Sequence, residues 1–126
     1  MTKTSGFTIV ELLIVVVVIS ILAAITVVSY NGIQNRAKDA AALNVTKNVE
    51  KKVQLYKSLF GTYPTTTQLN AQPETTIDSA VFTVSDAMPT TERHVRYILC
   101  SGNNGVQIIY RVFPTGTASV VLGICS

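Results

Sequence analysis

Apolar and polar positions divide this chain into regions of different period. Residues 7–28 are almost unbroken apolar sequence, interrupted only by Thr8, Glu11, Ser20 and Thr26. About 20 apolar residues in a helix, at 1.5 Å rise each, cross a bilayer. The run is therefore long enough to span one. From Ile33 the pattern becomes a stripe: Ile33, Ala37, Ala41, Val45, Val49 and Val53 recur every four residues, and Tyr56 and Phe60 continue it after it drifts. Charged residues fill the other faces. An apolar stripe opposite charge predicts a helix lying on a core. The two patterns join into one helix from about Thr8 to Phe60, which Gly61 and then Pro64 stop. A kink is expected at Asn31-Gly32, because Gly costs about 1 kcal/mol against Ala in a helix.

Residues 61–89 are rich in Thr, Pro, Ser and acids. They read as a surface connection holding one short strand over 81–84. Three runs rich in Val, Ile and aromatics follow, at 95–100, 106–113 and 119–124, and each reads as a strand. SGNNG and PTGT separate them, both rich in turn formers. Such short connections predict an antiparallel sheet. Val106, Ile108, Tyr110 and Val112 share the face that packs on the helix stripe. Gln107 and Arg111 point outward with Ile109 and Phe113. The expected fold class is α+β: a long N-terminal helix, half spanning and half amphipathic, on a small antiparallel β-sheet.

Charge narrows the functional classes. Charged residues make up 13% of the chain, about half of the usual ~25%. None lies in residues 12–35, whereas residues 36–57 carry eight. A net charge of +3 without a basic stripe gives no strong nucleic-acid signal. Lys51, Lys52 and Lys57 read as a solvated face. There is no Gly-rich phosphate loop. His94, the only histidine, sits beside Arg93 and Arg96 as a surface residue, and no catalytic triad is available. Glu74, Asp78, Asp86 and Glu92 are scattered through the connection, and the cysteines form no CxxC pattern, so no metal site is expected. The expectation is a chain that is not an enzyme and holds no cofactor.

Glu11 is the position that plain readings leave unexplained. A buried core helix fails because no other element covers such a run on all sides. A secretory signal fails because its apolar region is shorter, about 7–15 residues. A plain membrane anchor explains the length but not the acid. Ionisable residues inside a span are costly and mark function, with a partner to be named. The nearby cations are Lys3, or a new amino terminus made by cleavage after Gly6, which would fall on Phe7.

At these residues the chain resembles the type IV pilin and prepilin family. MTKTSG stands as a short basic leader ending in Gly6, followed by Phe7, Thr8 and Glu11 and then the apolar run. The resemblance is strongest over residues 1–60, and GTYPTTTQL further resembles the turn after the first helix of small pilins and of major pseudopilins. It implies that a prepilin peptidase cuts after Gly6 and methylates Phe7. It implies that Glu11 guides assembly by pairing with a neighbouring subunit's terminal amine. The implied partners are other copies of the chain, in a helical homopolymer, and the assembly machinery in the membrane. The implied location is a single pass in the inner or cytoplasmic membrane before assembly and a surface filament afterwards. Two further readings stay open: a pseudopilin of a type II secretion or DNA-uptake system, and an anchored binding domain that never polymerises. The corresponding organisation is a leader at 1–6, a transmembrane or filament-core helix half at 7–30, and a globular head at 31–126. The head divides into helix 31–60, loop 61–94 and a sheet and disulfide region 95–126. Many pilins carry a Gly and a Pro where this chain has Ser20 and Val28, so loosening of the helix is expected at Asn31-Gly32 instead.

Cys100 and Cys125 are expected to pair, since an exported domain is oxidised and two cysteines make one bond. In a simple meander the first and third strands lie about 9.6 Å apart, twice the strand spacing. A disulfide needs Cα atoms about 4.4–6.8 Å apart. Either the tail crosses the 101–105 loop or the strand order is not a simple meander.

Overall fold

A computed structural model describes residues 5–78 and 83–125. The first four residues of the expected leader, Lys3 among them, and positions 81–82 of the expected first strand lie outside the described residues. Contacts divide the chain into two compact units, one ending at Gln34 and the other beginning at Asn35. Helix α1, Ile9–Phe60, contributes to both and is assigned without interruption through Ser20, Val28 and Gly32. Asn31 and Gly32, where a kink is expected, lie inside this helix, so the glycine does not end it.

In the first unit, α1 has no core. Every large apolar side chain from Phe7 to Ile33 is exposed, from 48% at Val17 to 88% at Phe7. The helix contains a window with a mean hydropathy of 3.1, long and apolar enough to cross a membrane.

The second unit is an α+β head. After α1 come helix α2, Thr66–Ala71, and strands β1, Thr83–Ser85, β2, His94–Leu99, β3, Gly105–Val112, and β4, Gly116–Gly123. The sheet has four strands in the order β1-β2-β3-β4. β2, β3 and β4 pair antiparallel, as expected. β1 instead pairs parallel with β2, so the sheet is mixed rather than wholly antiparallel. Parallel neighbours ordinarily need a long crossover. β1 has only three residues, about 10 Å of strand, so residues 86–93 suffice to return to its start.

One cluster unites the helix and the sheet. Val45, Val49, Val53 and Tyr56 of α1 pack with Val95 and Tyr97 of β2 and with Val106 and Ile108 of β3. The face predicted for Val106 and Ile108 is thus the core face. The helix stripe is shifted from the four-residue reading. Ala42, Val45, Thr46, Val49, Val53 and Tyr56 are buried, while Ile33, Ala37, Ala41 and Phe60 are exposed. A strict period of four rotates about 40° per step at 3.6 residues per turn. Only steps that alternate three and four keep facing one sheet.

The connection after α1 is more ordered than its composition predicts. Thr65 Oγ1 accepts from Gln68 N at 3.2 Å, and Gln68 Oε1 accepts from Thr65 N at 2.9 Å. This capping box starts α2 and sets Leu69, which is fully buried, into the core.

Candidate functional site

The residues singled out by the N-terminal pattern fall together. Ser5, Gly6, Phe7 and Glu11 line one shallow concavity at the start of α1. Glu11 lies three residues after Thr8, which precedes the first helical residue. Thr8 N and Thr8 Oγ1 both donate to Glu11 Oε2, at 2.9 and 2.8 Å. Glu11 N donates back to Thr8 Oγ1 at 3.2 Å. This is a capping box, in which a Thr and a Glu at the third helical position satisfy each other's orphan donors. The sequence signature, Thr8-x-x-Glu11, was present but not recognised as a cap. Both Thr8 bonds fall on one carboxylate oxygen. Among the described residues Oε1 takes none. Gly6 is exposed, and a Cβ there would meet nothing within 4 Å. The fold of this chain therefore gives no packing reason for glycine at that position.

The remaining polar residues of the apolar run are satisfied by the helix itself. Ser20 Oγ donates to Val16 O at 2.7 Å. Thr26 Oγ1 donates to Leu22 O and Ala23 O at 3.1 and 2.9 Å. Back-bonding of this kind lets hydroxyls sit in an apolar medium without water. Beyond Glu11, the run presents no unmet side-chain hydrogen bond among the described residues.

In the head, Cys100 and Cys125 form a disulfide with a Cα separation of 5.1 Å. The strand order is a simple meander, so the tail must cross. Gly105 pairs with Gly123, and Ile124 N donates to Asn104 O at 3.0 Å, which carries the chain over the end of β3 toward Cys100. The crossing is tight. Gly123 has a φ of +80°, and a Cβ there would come within 2.3 Å of Asn104 O and 2.6 Å of the Tyr63 ring. Lys57 Nζ donates to Tyr63 Oη at 2.9 Å. Tyr97 Oη donates to Pro64 O at 2.6 Å. Burial pushes the Tyr97 phenol well above the usual tyrosine range, with a smaller push from Tyr63. Among the described residues no three His, Cys, Asp or Glu side chains converge as metal ligands.

Comparison with known proteins agrees with the N-terminal geometry. The prokaryotic N-terminal methylation motif matches residues 1–27. The type II secretion system core protein G of Vibrio cholerae serotype O1 is 35% identical over 68 residues. That alignment covers 54% of this chain and 47% of the relative, so the chain spans about half the length of the protein it matches. No solved structure matches.

Proposed function

We propose that this chain, a type IV pilin-like protein by its N-terminal motif and its relative, is the structural subunit of a pilus-like surface filament. A prepilin peptidase cuts it after Gly6 and methylates Phe7. The subunit then waits in the membrane through the first half of α1 and assembles by helix packing. The observation that carries this reading is the state of Glu11. Thr8 holds one of its carboxylate oxygens, while Oε1 stays open beside Phe7. A terminal amine of a neighbouring copy is a cation of the right size and charge for that oxygen. The exposed apolar half of α1 supports the same conclusion, since lipid before assembly and neighbouring helices after it bury the same residues. The proposed division is the leader at 1–6, the helix half at 7–30 and the head at 31–126. Cys100 and Cys125 staple the end of the head.

A second reading has its own support. The Vibrio cholerae relative is a secretion-system protein, which favours a pseudopilin that polymerises in the envelope rather than at the surface. Intact mass and N-terminal sequencing of sheared surface material separate the two. A chain beginning at methylated Phe7 in the sheared fraction supports the surface filament. The same processed chain confined to membranes supports the secretion reading. A chain uncut at Gly6 in every fraction overturns both.

A further inference from the structure

The sheet has two edges, and they differ. β1 is three residues long, and so short an edge offers a neighbour little to pair with. β4 lies at the other edge with eight residues, Gly116–Gly123. The register fixes which of its backbone groups are spent. Ile124 N donates to Asn104 O, and hydrogen-bonded pairs alternate with non-bonded ones along an antiparallel ladder. In step with Asn104 and Ile124, the pairs Val106–Leu122, Ile108–Val120 and Tyr110–Ala118 exchange the bonds. The N–H and C=O groups of Thr117, Ser119 and Val121 therefore point away from β3. None of them has a hydrogen-bond partner among the described residues. β4 also carries none of the devices that keep such an edge single. It has no charged residue and no proline, and its register runs from Gly105–Gly123 to Val112–Gly116 without a bulge.

A row of unspent N–H and C=O groups takes an extended backbone, so the occupant is a strand. The chain itself supplies one that fits. Two copies of β4 laid antiparallel about a two-fold axis at Ser119 set Thr117 opposite Val121 of the second copy. Every outward N–H of these residues then meets a C=O. Ala118, Val120 and Leu122, on the core side, are only half-buried, and the pairing lays Val120 against Ala118 of the second copy and covers apolar surface. On the outer side the facing side chains are Thr, Ser and Val, small and uncharged. Arg111 stands beside Thr117 in the register. The two-fold axis puts the two Arg111 residues at opposite corners, roughly 20 Å apart by strand spacing and rise, well beyond the screening length of about 8 Å. Copies with a net charge of +3 each thus bring no like charges together at this seam. A single strand pair falls below the roughly 1,200 Å² of a standard interface. Copies of this chain have the further advantage of a shared plane, since the exposed apolar half of α1 anchors them in one membrane and raises the effective concentration of like heads.

We propose that β4 is a self-association edge, which pairs antiparallel about Ser119 with β4 of a second membrane-anchored copy. The pairing requires the anchor but no filament. The test is cysteine cross-linking of the full chain in phospholipid vesicles under mild oxidation, with the linked peptides mapped by mass. Facing residues of a hydrogen-bonded pair have Cα atoms about 5.5 Å apart, within disulfide reach. Ser119→Cys is therefore expected to give a dimer linked at position 119. Thr117→Cys alone is expected to give at least about fivefold less, because its twin lies about 14 Å away along the strand. Thr117→Cys mixed with Val121→Cys is expected to link as well as Ser119→Cys. Val121→Pro removes an N–H that points outward and breaks no bond to β3. Added to Ser119→Cys, it is expected to lower linking to the level of Thr117→Cys with the melting of the head unchanged. Equal linking of Ser119→Cys and Thr117→Cys marks random collision and overturns the proposal. So does absence of linking from Ser119→Cys, a reading that stands even if Val121→Pro fails to fold. Undiminished linking in a folded Val121→Pro chain overturns it too. Linking of Ser119→Cys in cells to a different protein, and not to itself, overturns the second copy as the occupant.

Discussion

Opening the Cys100–Cys125 bond is a quantitative test of how the head is stabilised. The bond joins residues 25 apart in sequence, and the loop it closes contains all of β3 and β4. In the chain-entropy treatment a loop of that length removes about 12 cal/mol/K from the unfolded ensemble, or about 3.5 kcal/mol at 25 °C. The folded state loses little in return. The Gly105–Gly123 pair and the bond from Ile124 N to Asn104 O hold the tail in place without the sulfurs. Cys100→Ala/Cys125→Ala should therefore leave the head folded but less stable by about 3 kcal/mol. Urea unfolding of the full chain in mild detergent measures this. Tyrosine fluorescence serves as the probe, because the chain has five Tyr and no Trp. With a slope of about 1–3 kcal/mol/M, the midpoint should fall by about 1–3 M. Reduction of the unchanged protein should produce the same shift. A loss under about 1 kcal/mol, or a large difference between reduction and the double variant, would refute the entropic account.

Three other outcomes are expected. Glu11→Gln keeps a residue that completes a capping box but removes the charge, so the subunit should insert and be cleaved normally yet fail to appear in sheared filaments; normal filament yield would reduce Glu11 to a helix cap. Gly123→Ala should lower the thermal midpoint of the head by several degrees, because its Cβ would strike Asn104 O and the Tyr63 ring at a left-handed φ; an unchanged midpoint would mean that the crossing is loose. The raised Tyr97 phenol gives stability that is whole below the ordinary tyrosine value of about 10 and is lost as pH climbs above it. Tyr97→Phe should flatten that alkaline loss in a pH series of melts, at the cost of leaving Pro64 O without its donor.

The parts legible in the sequence are those where one signal dominates. The run over residues 7–28 has no rival reading as an element, and it is helical from Ile9 onward. The strands expected at 95–100, 106–113 and 119–124 are the observed β2, β3 and β4, displaced by one to three residues. Their turns carry the punctuation that makes them readable. The crossing of the tail was one of two arrangements that the disulfide geometry allowed. What stayed hidden was short or ambiguous. α2 has six residues, too few for a periodic signal, and its cap lies inside a run of three threonines. β1 is shorter still, and its parallel pairing depends on a return path that no local pattern encodes. Alanines at 37, 40, 41 and 42 are nearly interchangeable as apolar positions, so the phase of the stripe was settled by the sheet and not by the chain. At the N-terminus, Thr8-x-x-Glu11 fits both a cap and a charge awaiting a partner. Only the structure reveals that one oxygen serves the cap while the other takes no bond among the described residues.

The hydroxyls of Ser20 and Thr26 set a condition on how the first half of α1 changes surroundings. Each already spends its proton on a carbonyl one turn back. On the filament reading, passage from lipid into a sheath of like helices would break no bond at either site and ask for no new one. Along this run the side-chain traffic with the medium is confined to Thr8 and Glu11 at its mouth. On the filament reading, the rest would travel as a hydrocarbon does, and Glu11 would be the one side chain of the run whose surroundings must be answered when a subunit leaves the bilayer.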